Sequence, residues 1–428
     1  MLYQDLKDRG LIYQETSEDM ANWLKTPRTF YCGFDPSSDS LHIGSLMPLM
    51  TMRRFQLAGH KPIVLLGGAT GMIGDPSGKS QERNLLDKEA IEKNIFGISQ
   101  VIEKFIDLKG PQGAMVVNNS TWMEKFTFIN FLRDVGKYFS VNYMLGKDSV
   151  KSRIENRDEG ISFTEFSYML LQSYDFYVLN KNYNCQLQIG GSDQWGNITA
   201  GVELIRRMKA ANPTATNKDE STGLTLPLVT KADGGKFGKT ESGNVWLDGR
   251  KTSPYQFFQF FVRIADTEII KMLMYFSAHS VEEIRELEAQ MKAAPEKRIP
   301  QNALARELTR LVHGESELNR VEKATQALFS GDLRELDKPM LLEVFSEAPS
   351  VKVAKTKIGE ATLVDLLVES GLATSKGNAR KDVQGGGIYM NNQKVETEDL
   401  VIKSEHLLYQ SLLVLRKGKK SYSLVMFV

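Results

Sequence analysis

The chain has 428 residues, enough for about two or three domains and a sizeable core. Its composition, 41% hydrophobic and 25% charged, is that of an ordinary soluble globular protein, and no run approaches the ~18 apolar residues of a membrane span. Cys32 and Cys185 stand far apart and the histidines (42, 60, 279, 313, 406) are scattered, so neither a disulfide framework nor a structural zinc site is expected.

The first nineteen residues carry charges throughout and lack an apolar signal region, so a reducing cytoplasm is the expected compartment. Net charge is +1 but uneven: residues 351–428 hold twelve Lys and Arg against eight Asp and Glu, which leaves the rest mildly acidic. A polyanion is therefore expected at the C-terminal end.

A helical start (2–11) leads to Thr29–Phe34, a β-rich run ending in glycine and Asp35–Pro36. Residues 37–45 precede a long amphipathic helix carrying Leu46, Leu49, Met50, Met52 and Phe55. Residues 62–66 are continuously apolar, as in a strand buried on both faces, and run into the glycine-rich loop 67–75. A helical segment (about 87–107) precedes a third strand at 114–118, and helices follow through residue 180. Residues 185–189 form a short strand before Gly190–Gly191, and a helix is expected from near Asp193, with Ile198, Val202 and Ile205 at helical spacing. Strands alternating with helices predict α/β class with a Rossmann-like, doubly wound parallel sheet. Ligands bind beyond the carboxyl ends of such strands, and three of these tips, after 29–34, 62–66 and 185–189, are glycine-rich and polar.

Past the mobile lysine loop 231–240 the chain is helical from Ser253 to about residue 330. Prolines 339 and 349 and the polar run 355–360 mark a linker. From Ala361 a compact unit follows: a Leu363/Leu366/Leu367 helix, a second helix capped by Ser375, and hairpins at 388–395 and 411–426. The expected domains are therefore 1–250, 251–330, a linker at 331–360, and 361–428.

Three stretches carry chemistry. Gly190–Gly191 at a strand end lets the backbone approach a ligand, and Asp193 is either an N-cap or an acceptor for a sugar diol. His42 in His-Ile-Gly-Ser lies at a helix start, where N–H groups and an imidazole favour phosphate. Lys236 and Lys239, three apart on a mobile loop, can neutralise charge that develops on a polyphosphate.

Together, His-Ile-Gly and the later Lys-x-x-Lys resemble the HIGH and KMSKS motifs of class I aminoacyl-tRNA synthetases. The stretches 31–36, 67–77, 165–176, 188–197 and 236–240, in their order and spacing, resemble the bacterial tyrosyl-tRNA synthetases. The resemblance runs the whole chain, and 361–428 is similar to the S4-like α+β RNA-binding domain of those enzymes. It implies that Tyr31 and Asp175 meet a substrate phenol, and that Asp75, Tyr168 and Gln172 hold its ammonium, with Gln188 lining the same pocket. It implies ATP contacts from Cys32, Gly33, Asp35, His42, Gly44, Ser45, Gly191, Asp193, Gln194, Lys236, Lys239 and Thr240. Catalysis would fall to His42 and Ser37 at the γ-phosphate, with Lys79, Arg83, Lys236 and Lys239 closing over pyrophosphate.

The implied partners are L-tyrosine, ATP with Mg2+ carried by the nucleotide and no protein-held metal, and tRNA(Tyr). Lys376, Arg380, Lys381, Arg416 and Lys417 would contact the tRNA. A homodimer is implied, through apolar-rich segments near 125–150. Two departures stand out: Ser45 replaces the second HIGH histidine, and Ser37 stands where many relatives have threonine. Three readings compete: tryptophanyl-tRNA synthetase, a His-x-Gly-His nucleotidyltransferase, and an inactive RNA-binding relative.

Overall fold

A computed structural model describes residues 1–77, 85–147, 150–151, 154, 160–211, 221–230, 237–240, 243–329, 331–346, 348–418 and 421–428, without the side chains of 239, 240 and 329. The chain divides into two compact units, residues 1–252 with 260–312, and residues 253–259 with 313–428.

In the first unit the strands are β1 (Gln14–Glu15), β2 (Thr29–Phe34), β3 (Lys61–Leu66), β4 (Met115–Asn118), β5 (Cys185–Gly191) and β6 (Thr222–Leu226). They form one sheet in the order β1-β6-β5-β2-β3-β4. All neighbours pair in parallel except β1, which runs antiparallel to β6. The order runs outward from β2 through β3 to β4 and, on the other side, from β5 to β6. The reversal falls between β2 and β5, and a crevice opens there. Ile63, Val64, Leu65 and Leu66 of β3 are all buried, as a central parallel strand requires.

The helix after His42 is Leu46–Leu57 (α1). It is buried over most of its surface, Leu46, Met47, Leu49, Met50, Thr51, Met52 and Phe55 included, and so is less amphipathic than expected. Asp87 caps Lys88–Ile102 (α2), its carboxylate accepting from Ala90 N at 2.8 Å. Ser162 caps Phe163–Tyr183 (α3), which ends at Asn184 in the left-handed region, φ 55°. The helix expected from Asp193 starts at Trp195 (α4, Trp195–Ala211). The two glycines extend β5, and Ser192–Gln194 form a 3-10 turn in which Asp193 does not cap.

The residues expected as a helical domain at 251–330 are shared between the two units. Helices Asp266–Phe276 and Val281–Ala293 belong to the first unit. The reason is polar as well as apolar: Arg9 and Arg54 donate to the carbonyls of Met274, Tyr275, Ser277 and His279, which follow or end the first of these helices. Burial lowers the Arg54 guanidinium to about 10.

The stretch expected as a linker carries regular structure in the second unit. Residues 331–360 contain the helix Lys338–Val344 and a strand, Ser350–Val353 (β7). With Ile388–Met390 (β8), Gln393–Lys394 (β9), Leu412–Lys417 (β10) and Ser421–Phe427 (β11), that strand forms a sheet in the order β9-β8-β10-β11-β7. The β7–β11 pairing is parallel and tertiary, so no local turn signal announces it. Leu363, Leu366, Leu367, Leu413, Leu415, Val425 and Phe427 form its core. Asn391 and Asn392 take positive φ, 49° and 66°, in the two-residue turn of the first hairpin.

Candidate active site

The strand tips enclose a cavity of about 770 Å³ in the first unit. Its lining includes Tyr31, Cys32, Gly33, Asp35, Ser37, His42, Gly44, Ser45, Asp75, Tyr168, Gln172, Asp175, Gln188, Gly191, Asp193 and Gln194. Sequence reasoning nominated every one of these from five separate stretches. Lys79, Arg83 and Lys236 lie outside the described residues, as do the side chains of Lys239 and Thr240. The backbone at Gly238 stands close to the His42 turn: a Cβ there would lie 2.5 Å from Ile43 Cγ1.

Two polar networks fix the walls. In the first, Tyr168 donates to Asp35 Oδ2 at 2.8 Å, and Thr70 Oγ1 donates to Asp35 Oδ1 at 2.8 Å. Asn119 Nδ2 donates both to Thr70 Oγ1 (2.9 Å) and to Asp175 Oδ2 (3.0 Å), and Trp122 Nε1 donates to Asp175 Oδ1 (2.8 Å). Asp35, expected at ATP, and Asp175, expected at the phenol, are thus joined through two side chains. In the second, Gln194 Nε2 donates to Asp75 Oδ2 at 2.5 Å and Gln172 Nε2 donates to Gln194 Oε1 at 3.2 Å. Asn197 donates to both glutamines, at 3.1 and 3.2 Å.

Sequence reasoning missed Thr70, Asn119, Trp122 and Asn197. A signal existed for Asn119, which follows the tip of β4, a strand predicted from the sequence.

The Tyr31 hydroxyl and Gln188 Oε1 are buried and find no hydrogen-bond partner among the described residues. Unmet buried polar atoms cost roughly 1–3 kcal/mol each, and both of these residues line the cavity. Burial raises the Tyr31 phenol well above its ordinary range, and the nearby Asp175 carboxyl raises it further. Burial also pushes the Cys32 thiol to about 12, so it stays neutral.

His42 caps the turn Ile43–Ser45, its Nδ1 accepting from Gly44 N at 3.0 Å. That bond assigns the proton of the neutral ring to Nε2, which makes Nε2 a donor. The approach is close: a Cβ on Gly44 would fall 2.5 Å from His42 Cε1. At Gly67 a Cβ would fall 2.1 Å from Asp35 Oδ1, so this glycine lets the carboxylate cross the tip of β3.

Burial pushes the Asp175 carboxyl up to about 8, against the two donated hydrogen bonds that lower it. An unfolded aspartate titrates near ~3.9, so above that pH the folded protein holds a proton the unfolded chain has released. The group's stability contribution is full below pH ~4 and is lost as pH rises through about 8. Urea titrations across this window should show stability falling with pH more steeply in the wild type than in Asp175→Asn. Parallel slopes would contradict this titration.

In the second unit the five expected tRNA contacts are differently placed. Arg380 and Lys381 are exposed on the helix Lys376–Gln384. Lys376 pairs with Asp365 at 2.6 Å and Lys417 with Asp382 at 2.6 Å. The Arg416 guanidinium lies 3.8 Å over the Tyr389 ring.

Residues 24–330 match the family profile described as tRNA synthetases class I (W and Y), and residues 341–425 match a tyrosine–tRNA ligase SYY-like C-terminal domain. The chain is 50% identical over 428 residues to the tyrosine–tRNA ligase of Staphylococcus carnosus, covering 100% of this chain and 99% of that protein. It is 49% identical to that of Staphylococcus epidermidis over 99% and 98% of the two chains. A C-terminally truncated mitochondrial tyrosyl-tRNA synthetase from Aspergillus nidulans superposes with a TM-score of 0.69 at 31% identity, over 77% of this chain and 94% of that one.

Proposed function

The chain belongs to the tyrosine–tRNA ligases, class I aminoacyl-tRNA synthetases, and from that membership we propose how its cavity activates tyrosine. The observation that carries the reading is the buried Tyr31 hydroxyl, without a partner among the described residues, in one cavity with Asp175 and the His42 turn. A tyrosine phenol donates to Asp175 and accepts from Tyr31. Phenylalanine leaves both groups unmet. Asp75, Tyr168 and Gln172 hold the ammonium, and Gln188 lines the same pocket. Gln194 faces the carboxylate. Cys32, Gly191 and Asp193 meet the ribose, with Gly33, Asp35, Gly44 and Ser45 along the nucleotide.

The tyrosine carboxylate oxygen attacks the α-phosphorus of ATP. An O–P bond forms, the bond from the α-phosphorus to the bridging oxygen breaks, and its electron pair leaves with pyrophosphate. The carboxylate is already a nucleophile, so placement and charge stabilisation do the work. His42 and Ser37 donate to the outer phosphates. Lys79, Arg83, Lys236, Lys239 and Thr240 are the residues we assign to pyrophosphate. A terminal hydroxyl of tRNA(Tyr) then displaces AMP from the tyrosyl-adenylate. Among the described residues no group of three or more His, Cys, Asp or Glu is arranged to hold a metal. In this reading magnesium accompanies the nucleotide.

Tyrosine, and neither tryptophan nor phenylalanine, should drive ATP–pyrophosphate exchange. Well-folded protein that shows no tyrosine-dependent exchange removes the proposal.

The C-terminal domain, S4-like in this reading, binds tRNA through Lys376, Arg380, Lys381, Arg416 and Lys417, of which Arg380 and Lys381 stand exposed on one helix. Arg380→Glu with Lys381→Glu in the full chain should cut charging about tenfold or more at low salt, by a smaller factor as salt rises, and leave exchange unchanged. Equal loss of both activities would argue against a separate tRNA role.

A homodimer is supported by Phe128 (65% exposed), Ile129 (67%) and Val141 (60%), apolar side chains at or beside a groove lined by Leu132, Met144 and Phe163. Phe128→Glu with Val141→Glu should sediment as a monomer where the wild type sediments as a dimer. The cytoplasm remains the proposed compartment, consistent with two buried free cysteines, and no helix among the described residues is long and apolar enough to cross a membrane.

A further inference from the structure

The described residues that line the cavity include Asp35, Asp75, Asp175 and Asp193. Acidic walls suit an ammonium and ribose hydroxyls, but they repel a triphosphate. A cation stands at the rim beside the phosphate side of this cavity. Lys251 Nζ is ion-paired with Asp39, lies 3.5 Å from Ser38 Oγ, and sits 4.4 Å above the ring of Trp246. Ser38 and Trp246 both line the cavity, next to Ser37 and His42.

Its position relative to His42 is built into the backbone. Residues 42 and 246 form an antiparallel bridge, Ile43 N donates to Val245 O (2.9 Å), and Leu247 N donates to Leu41 O (2.9 Å). The Trp246 ring meets His42 edge-on at 6.0 Å. A turn then reverses the chain. Lys251 N and Thr252 N both donate to Asp248 O, and Thr252 Oγ1 accepts from Trp246 N at 2.9 Å. The Lys251 stem is thereby folded back over Trp246, with its ammonium beside two residues of the cavity wall, Trp246 and Ser38. Asp39 is fixed from the other side, because its carbonyl would lie 2.0 Å from a Cβ on Gly97 of α2.

The Lys251–Asp39 pair is partly exposed, 29% and 38%, and such pairs are weak because water screens them. An outer phosphate group, with more total charge than a carboxylate and several acceptor oxygens, competes well for the ammonium. We propose that Lys251 is a phosphate-binding residue of the activation reaction: its ammonium leaves Asp39 for the outer phosphates of ATP, or for pyrophosphate, in the cavity. Asp39 is then the resting partner that holds the flexible side chain within reach. The assignment rests on the reading of this cavity as a tyrosine-activating site, and it adds a cation to Lys79, Arg83, Lys236 and Lys239.

The test is calorimetric binding of inorganic pyrophosphate and steady-state exchange on the full-length protein, comparing wild type, Lys251→Met, Lys251→Arg and Asp39→Asn. Lys251→Met should weaken pyrophosphate binding and raise the KM for ATP roughly tenfold, the usual scale for one lost charge-assisted hydrogen bond, with the KM for tyrosine and the Tm unmoved. Lys251→Arg should recover most of that loss. Asp39→Asn, which releases the ammonium, should bind pyrophosphate more tightly than wild type. Unchanged pyrophosphate binding in Lys251→Met overturns the assignment, as does a joint loss of tyrosine affinity and Tm, which marks a purely structural residue. Wild-type protein without tyrosine-dependent exchange would instead remove the reading beneath it.

Discussion

Asp175→Ala is expected to lose tyrosine-dependent exchange by a factor on the order of 10²–10³ in kcat/KM, the scale of a lost buried hydrogen bond together with the phenol donor left unmet. It should also lose selectivity. Tyrosine-activating enzymes are themselves the standard case of rejection on the order of 10⁴–10⁵ for an analogue lacking the hydroxyl, so that size is carried over from them. Without the Asp175 acceptor the ratio should fall to the order of 10. The reason is local. Asp175 is 1% exposed and held at both oxygens, by Asn119 at 3.0 Å and Trp122 at 2.8 Å, so no other group can swing in to replace it. Trp122→Phe removes one of these donors, leaves the carboxylate, and should give an intermediate ratio at near wild-type Tm. Exchange assays with tyrosine and phenylalanine give both numbers. A wild-type ratio in Asp175→Ala would show that the phenol binds elsewhere.

The second large effect is expected at His42. His42→Ala should slow adenylate formation by about 10²–10³, or about 3 kcal/mol, while tyrosine affinity stays near wild type. The geometry makes a sharper companion prediction. Gly44 N occupies Nδ1, and a methyl group at residue 44 would lie 2.5 Å from the imidazole Cε1. Gly44→Ala should therefore turn the ring away from the phosphates and reproduce much of the His42→Ala rate loss with the imidazole still present. Rapid-quench rates of adenylate formation beside equilibrium tyrosine binding separate the two terms. If tyrosine affinity falls as far as the rate does, the role is structural rather than in the transition state.

The place of each feature in the chain explains what was legible. Strand positions, the glycine-rich tips and the His42 turn were readable because each rests on local periodicity and turn chemistry. The sequence by itself therefore determined an α/β sheet whose polar tips face one crevice, and its motifs determined the reaction class. Other features depend on partners far along the chain. Ser350–Val353 looks like a linker until Ser421–Phe427 offers it a parallel edge. Helix Asp266–Phe276 looks like part of another domain until Arg9 and Arg54, more than two hundred residues earlier, bond the carbonyls at and beyond its end. Asn119 and Trp122 carry no motif, yet they hold the carboxylate that reads the phenol. Only the tertiary structure decided these, because hydrogen bonds between distant side chains and pairings between distant strands leave no periodic trace in the segments that make them.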